Sequence, residues 1–227
     1  MIAIIAGGTG LTGLSLIEAL ERNSEIKEIR ALVRVHGKIP PSPKLKELTL
    51  PWNGYKNLSE TPLDAYKGDL YFCSLGTTLK KAGSPEAFKE VDLDAVIEFA
   101  KICKKLGGFT FSLVSAAGAN PNSPIFYSRV KGEAEEAVRT LQIPQTLIFR
   151  PGLLIGDRKE SRPTERIAIE AWRALSSILP EAISHAAGTP VKDLAEKIAK
   201  ESLSREVRAK VFEPRDLIPK PDLSNLQ

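Results

Sequence analysis

Short apolar runs alternate with amphipathic stretches along most of the chain. Runs rich in β-branched and aromatic residues predict strands at 2–6, 29–34, 47–50, 69–75, 109–115, 145–149 and 209–212. Apolar residues at helical spacing predict helices at 11–22, 85–106, 126–141, 164–178 and 190–204. Several strands, Ile2-Ala3-Ile4-Ile5-Ala6 first among them, are apolar at nearly every position. That is the pattern of a parallel sheet covered on both faces. The alternation predicts an α/β fold, a doubly wound and mostly parallel sheet with right-handed crossovers.

Two stretches break the rhythm. Segment 36–68 is punctuated by Pro40, Pro41, Pro43, Pro51, Gly54 and Pro62 and leaves room for one short strand. After residue 149, Arg150-Pro151-Gly152 interrupts the strand and 157–163 is a charged loop. A helix with Ile167, Ala171, Ala174 and Leu175 on one face follows. Residues 1–227 read as one domain, with a small C-terminal, substrate-facing lobe within about 150–205. The tail from Pro214 reads as irregular.

The first strand feeds directly into Gly7-Gly8-Thr9-Gly10-Leu11-Thr12-Gly13, and a helix follows. A strand, a glycine turn and a helix in that order make a dinucleotide-binding βαβ unit, the opening of a Rossmann fold. Glycines permit the tight turn and the approach of backbone N–H groups to a pyrophosphate, and the helix N-terminus supplies partial positive charge. Gly7, Thr9, Gly10, Leu11, Thr12 and Gly13 are therefore candidate cofactor residues.

In such a sheet the ligand lies beyond the carboxyl ends of the strands. After the second strand stands Arg34, and no Asp or Glu occurs between Ala31 and Pro43. An acid there binds the ribose hydroxyl of NAD, whereas an Arg accommodates the 2′-phosphate of NADP, so NADP is favoured over NAD. After the fourth strand, Leu75, Gly76 and Thr77 form a small-residue turn suited to a ribose or pyrophosphate. After the fifth comes Ser115, then Tyr127-Ser128-Arg129-Val130-Lys131. Tyr127 and Lys131, one turn apart, share a helical face. The ammonium favours the phenolate, so Tyr127 can exchange a proton with a substrate oxygen that Ser115 holds. Lys131 also reaches the nicotinamide ribose. Ser115, Tyr127 and Lys131 are the candidate catalytic residues.

Composition narrows the reading. Apolar content of 42% and charged content of 26% suit a soluble globular protein, and the net charge is +4. Basic residues run no longer than Lys80-Lys81 and Lys104-Lys105, which argues against nucleic acid as a partner. No apolar run reaches the roughly 18 residues of a membrane span. Cys73 and Cys103, far apart in apolar surroundings, read as buried thiols. Met1 leads straight into strand residues, so a cytoplasmic protein is expected. His36 and His185 have no partners at ligand spacing, so no metal site is expected. Glu133, Glu135 and Glu136 read as a solvated helix face, and Arg158 and Arg162 as candidates to clamp an anionic substrate.

With these residues in view, the chain resembles the short-chain dehydrogenase/reductases, in their atypical and extended branch. Phe72-Cys73-Ser74-Leu75-Gly76-Thr77-Thr78, Lys81-Ala82-Gly83, Val91-Asp92-Leu93-Asp94, Tyr127 to Glu133, Phe149-Arg150-Pro151-Gly152 and Asp157 to Pro163 narrow the resemblance to the Tat-interacting-protein oxidoreductase-like group. The resemblance implies a Rossmann fold, NADP(H) binding and reductase activity. It also implies two departures. Members commonly carry an Asp after the third strand that contacts adenine; this chain has Leu50-Pro51-Trp52-Asn53, where Trp52 offers a stacking surface. Many extended members have an Asn in the fourth helix that supports a proton-relay water, and Asp92 stands in its place.

The expected function is NADPH-dependent reduction of a small carbonyl compound with Tyr127 as proton donor, the chain being a monomer or homodimer. The alternative is a non-enzymatic NADPH-binding regulator or scaffold acting through a protein partner. An epimerase or dehydratase holding NAD is the third reading, which Arg34 opposes.

Overall fold

A strand at the centre of a parallel sheet must be apolar on both faces, and β1 (Ile2–Ala6) is. The computed structural model describes residues 1–49, 63–156 and 188–217. Within these, β1 lies between β2 (Glu28–Val33) and β4 (Leu70–Cys73), with β3 (Leu45–Thr49) outside β2. Beyond β4 follow β5 (Thr110–Val114) and β6 (Gln145–Phe149). Strands β7 (Leu154–Ile155) and β8 (Thr189–Pro190) form a separate two-stranded parallel sheet, and β9 (Arg208–Phe212) closes the main sheet beside β6. All seven strands of the main sheet are parallel, in the order β3-β2-β1-β4-β5-β6-β9. The order reverses between β1 and β4, and the crevice at their carboxyl ends is where this architecture binds ligands.

Side-chain alternation along β1 divides the core into two layers. Ala3 and Ile5 pack with Leu16, Ile17 and Leu20 of α1 (Leu11–Glu21) and with Leu194 and Ile198 of α6 (Val191–Leu203). Ile4 and Ala6 pack on the other face with Phe99 and Ile102 of α4 (Ala95–Lys105) and Val138 of α5 (Phe126–Thr140). Each of the leucine, isoleucine, valine and phenylalanine side chains contributes about 1.5–3 kcal/mol of burial. Phe149 and Phe212 stack with ring centroids 4.6 Å apart, tying β6 to β9.

The predicted strands and most helices correspond to observed elements within a few residues. The predicted helix over 85–106 has internal structure. It begins as α3 (Pro85–Lys89), capped by the Ser84 hydroxyl, and passes through a π turn at Glu90–Asp94 into α4. Ala95 N–H bonds back to Glu90 O, five residues away, which widens the turn. A one-turn helix, α2 (Leu79–Ala82), and a 3-10 turn at Leu63–Tyr66 are additions to the predicted set. Helix α6 packs against α1. The helix predicted over 164–178, the charged loop 157–163 with Arg158 and Arg162, the stretch Leu50 to Asn53 with Trp52, and His185 lie outside the described residues. No helix among the described residues is long and apolar enough to cross a membrane.

Candidate active site

The glycine loop shows its requirements directly. Gly7 has φ of +88°, and a Cβ there would meet the Ser74 carbonyl oxygen at 2.5 Å, so the loop lies hard against the end of β4. A Cβ on Gly13 would stand 2.2 Å from Gly7 O and 2.7 Å from Gly8 Cα, which seats the first turn of α1 on the loop itself. Gly10 is the N-cap of α1 and brings no side chain to cap it, and the first turn holds no acid. The amide groups of Leu11, Thr12 and Gly13 therefore end in an uncapped, electropositive helix terminus over a cradle that only glycine leaves open. Thr9 is exposed at the rim of this cradle and Thr12 is buried.

Arg34 is exposed one residue past β2, with no partner among the described residues. The loop that carries it is organised from behind by Glu47 of β3. The Glu47 carboxylate accepts from Gly37 N at 2.6 Å and Ile39 N at 3.2 Å, and pairs with His36 Nδ1 at 3.4 Å. The Gly37 bond first, then Ile39 and His36, hold its carboxyl below the usual range against the opposing effect of burial. The acid of β3 thus serves the loop that follows Arg34, and its oxygens are spent there. Sequence distance concealed it.

Tyr127 and Lys131 come together at the start of α5 with a third group, Asp92 from the π turn. Lys131 Nζ lies 2.7 Å from Asp92 Oδ1, with the two side chains 7% and 1% exposed. The other Asp92 oxygen accepts from Thr77 N at 2.9 Å, binding the β4–α2 loop to the pair. A Cβ on Gly76 would stand 3.5 Å from Asp92 Oδ1 and 3.7 Å from Lys131 Nζ, so Gly76 passes directly over the ion pair. The Tyr127 ring is half-buried and packs on Phe88, centroids 5.8 Å apart.

Burial pushes the Tyr127 phenol above its ordinary value; Lys131 opposes this and Asp92 reinforces it. Desolvation works to lower Lys131, but Tyr127 and Asp92 outweigh it and the ammonium is stabilised. The sequence reading, with Lys131 alone beside Tyr127, expects the phenol to fall. Burial of the ring is the first physical reason it does not, and the Asp92 carboxylate adds to it.

Ser115 is placed differently from Tyr127 and Lys131. It is buried, and its hydroxyl donates to Glu135 Oε1 at 2.6 Å. Glu135 is 1% exposed and takes a two-pronged contact from Arg150, Nη2 to Oε2 at 2.6 Å and Nε to Oε1 at 3.0 Å. Arg139 adds a bond at 3.1 Å, and Arg150 reaches Glu213 at 2.8 Å. Glu135 is thus a core carboxylate, which corrects its reading as part of a solvated face. Arg150, in the Phe149-Arg150-Pro151-Gly152 motif, is its counter-charge. In sequence the signal is confined to that motif, since helical spacing alone cannot tell a buried Glu from its exposed neighbours.

Cys73, at the end of β4, is buried, and burial pushes its thiol up to about 12. Both cysteines are free and buried, as the sequence suggests.

No family model matches the chain. Curated relatives do. The protein FMP52 of Candida albicans is 39% identical over 166 residues, covering 71% of this chain and 70% of that protein. The protein HTATIP2 of Rattus norvegicus is 32% identical over 197 residues, covering 82% and 75%. Among solved structures, the oxidoreductase ylbE of Lactococcus lactis superposes with a TM-score of 0.64 at 18% identity, covering 96% of this chain and 95% of that one. The Bordetella bronchiseptica enzyme WbmG, solved with NAD, gives 0.66 at 19%, covering 94% and 72%. These structures share the fold of this chain. FMP52 proteins of several yeasts are named mitochondrial, which overturns the expectation of a cytoplasmic protein. That expectation leaned on Met1 leading straight into strand residues, on buried thiols and on missing apolar spans, and the relatives' location outweighs all three.

Proposed function

The chain belongs to the family of HTATIP2 and the FMP52 proteins, an atypical branch of the short-chain dehydrogenase/reductases, and on that premise we propose that it binds NADP(H) and reduces a small carbonyl compound. The observation that carries the reading is the uncapped terminus of α1 over its glycine cradle, at the same end of the sheet as Tyr127 and Lys131. The residues present fit a nicotinamide dinucleotide. The Gly7–Gly13 loop and the first turn of α1 take the pyrophosphate, and Arg34 with Thr9 takes a 2′-phosphate. Leu75, Gly76 and Thr77 line the path toward Lys131, which offers an ammonium to the ribose. WbmG, a structural neighbour, is solved with NAD, which supports a dinucleotide in this crevice without deciding between NAD and NADP.

When bound, the cofactor supplies the hydride that reduces the carbonyl carbon. The chain supplies the rest. Tyr127 gives its phenolic proton to the carbonyl oxygen, the product is the alcohol, and the phenolate regains a proton from solvent. Phe88 packs one side of the Tyr127 ring and limits its movement. Ser115 must turn its hydroxyl from Glu135 to touch substrate.

Calorimetric titration with NADPH and NADH, in wild type and Arg34→Ala, tests the reading. The guanidinium–phosphate contact is worth about 1.5–3 kcal/mol, so NADPH affinity should fall about 10- to 100-fold in the variant, with NADH little changed. No binding of either nucleotide by wild type would refute the proposal. If NADPH binds, Tyr127→Phe should lower carbonyl turnover by about 10²–10⁴.

A further inference from the structure

The proton transfer assigned to Tyr127 does not itself require Asp92, yet this carboxylate is the most deeply buried charge beside it. Its place is built. The π turn at Glu90–Asp94 widens the helix where Asp92 sits, Thr77 N holds one oxygen at 2.9 Å, and Lys131 Nζ holds the other at 2.7 Å. Wide turns of this kind often mark functional positions.

We propose that Asp92 is a positioning residue, the fixed counter-ion of Lys131, and that it keeps Tyr127 a neutral phenol so that the site is set to give a proton rather than take one. The inference rests on the reading of Tyr127 as the proton donor. The electrostatic argument is short. A lone ammonium one helical turn from a phenol stabilises the phenolate, and a charge within about 4–6 Å shifts a pKa by about 1–3 units. With Asp92 at hydrogen-bond distance the phenol faces a close ion pair, whose field is dipolar and falls off faster than that of a single charge. A neutral phenol is the form that donates to a carbonyl oxygen; the phenolate is the form that takes a proton from an alcohol.

The charged and titratable groups around this pair come from three elements. Asp92 comes from the π turn, Cys73 from β4 and Lys131 from α5 itself. Cys73 stays neutral, its thiol raised by burial. Lys89 of α3 and Glu133 of α5 pair with each other at 3.9 Å.

The test needs no substrate. Tyrosinate absorbance is followed through an alkaline titration of the cofactor-free protein, with the curve of Tyr127→Phe subtracted to isolate one of the four tyrosines. In wild type, Tyr127 should ionise above the ordinary phenol value near 10. In Asp92→Asn, which keeps the shape and one acceptor oxygen for Thr77 N but removes the charge, the midpoint should fall on the order of one pH unit. A purely structural Asp92 would lower the melting temperature and leave the midpoint where it was, and that result overturns the inference. Should Asp92→Asn fail to fold by circular dichroism, the smaller uncharged Asp92→Ser takes its place in the same titration, with the same fall in midpoint expected and an unmoved midpoint overturning the inference. NADPH calorimetry in parallel separates the two readings. Wild type that binds no NADPH removes the proposed function, and the phenol titration still rules on Asp92.

Discussion

Replacing Glu135 by Gln tests the buried network around Ser115 without reference to any activity. Glu135 is 1% exposed and receives Arg150 through two contacts, Arg139 through one and the Ser115 hydroxyl through another. Glutamine keeps the volume and leaves one oxygen for Ser115, but turns an amide N–H2 toward the Arg150 guanidinium, donor against donor. Breaking a buried pair by removing one partner costs about 3–5 kcal/mol. Arg150 is 20% exposed and keeps Glu213 at 2.8 Å, so the low end applies, about 3 kcal/mol. For a chain of this size each kcal/mol moves Tm by about 2–4 °C, giving a fall of about 6–12 °C. Glu213→Gln is the control. Its side chain is 41% exposed, and an exposed pair is worth at most about 1 kcal/mol, so Tm should move by no more than about 4 °C. Thermal unfolding followed by circular dichroism compares the two. Equal shifts would mean that burial does not set the strength of this network.

Two further outcomes follow from the loops. Gly13→Ala places a Cβ 2.2 Å from Gly7 O, where only backbone can yield, and should cost about 1–3 kcal/mol of stability. NADPH affinity should drop about tenfold or more, and full retention of affinity would count against the cradle. Glu47 has its folded pKa held below 4.5, above all by Gly37 N–H, so it stabilises the fold above that pH and loses the contribution as pH falls through its folded value. Glu47→Gln weakens the loop bonds and should lower Tm by about 2–4 °C near neutrality. Its stability curve should also be flatter than that of wild type below pH 4.5, and parallel curves would refute the assignment.

The strand–helix alternation, the glycine turn and the Tyr127–Lys131 pair were legible in the chain because each rests on local rules. Apolar runs mark buried parallel strands, glycine marks backbone that no side chain tolerates, and i, i+4 spacing fixes a shared helical face. Those rules place Tyr127 and Lys131 together, since the helix carrying both is continuous. They do not report charge partners brought in from elsewhere. Asp92 meets Lys131 across a gap of 39 positions, through a π turn that helical periodicity does not register. Glu47 reaches back to Gly37 and Ile39 from the neighbouring strand, and Glu135 is buried because Arg150, at the end of β6, comes to rest against α5. Local sequence thus determined which backbone forms and which faces are apolar. The tertiary structure decided which charges are buried and paired, because desolvation and Coulomb attraction depend on distance in space rather than along the chain.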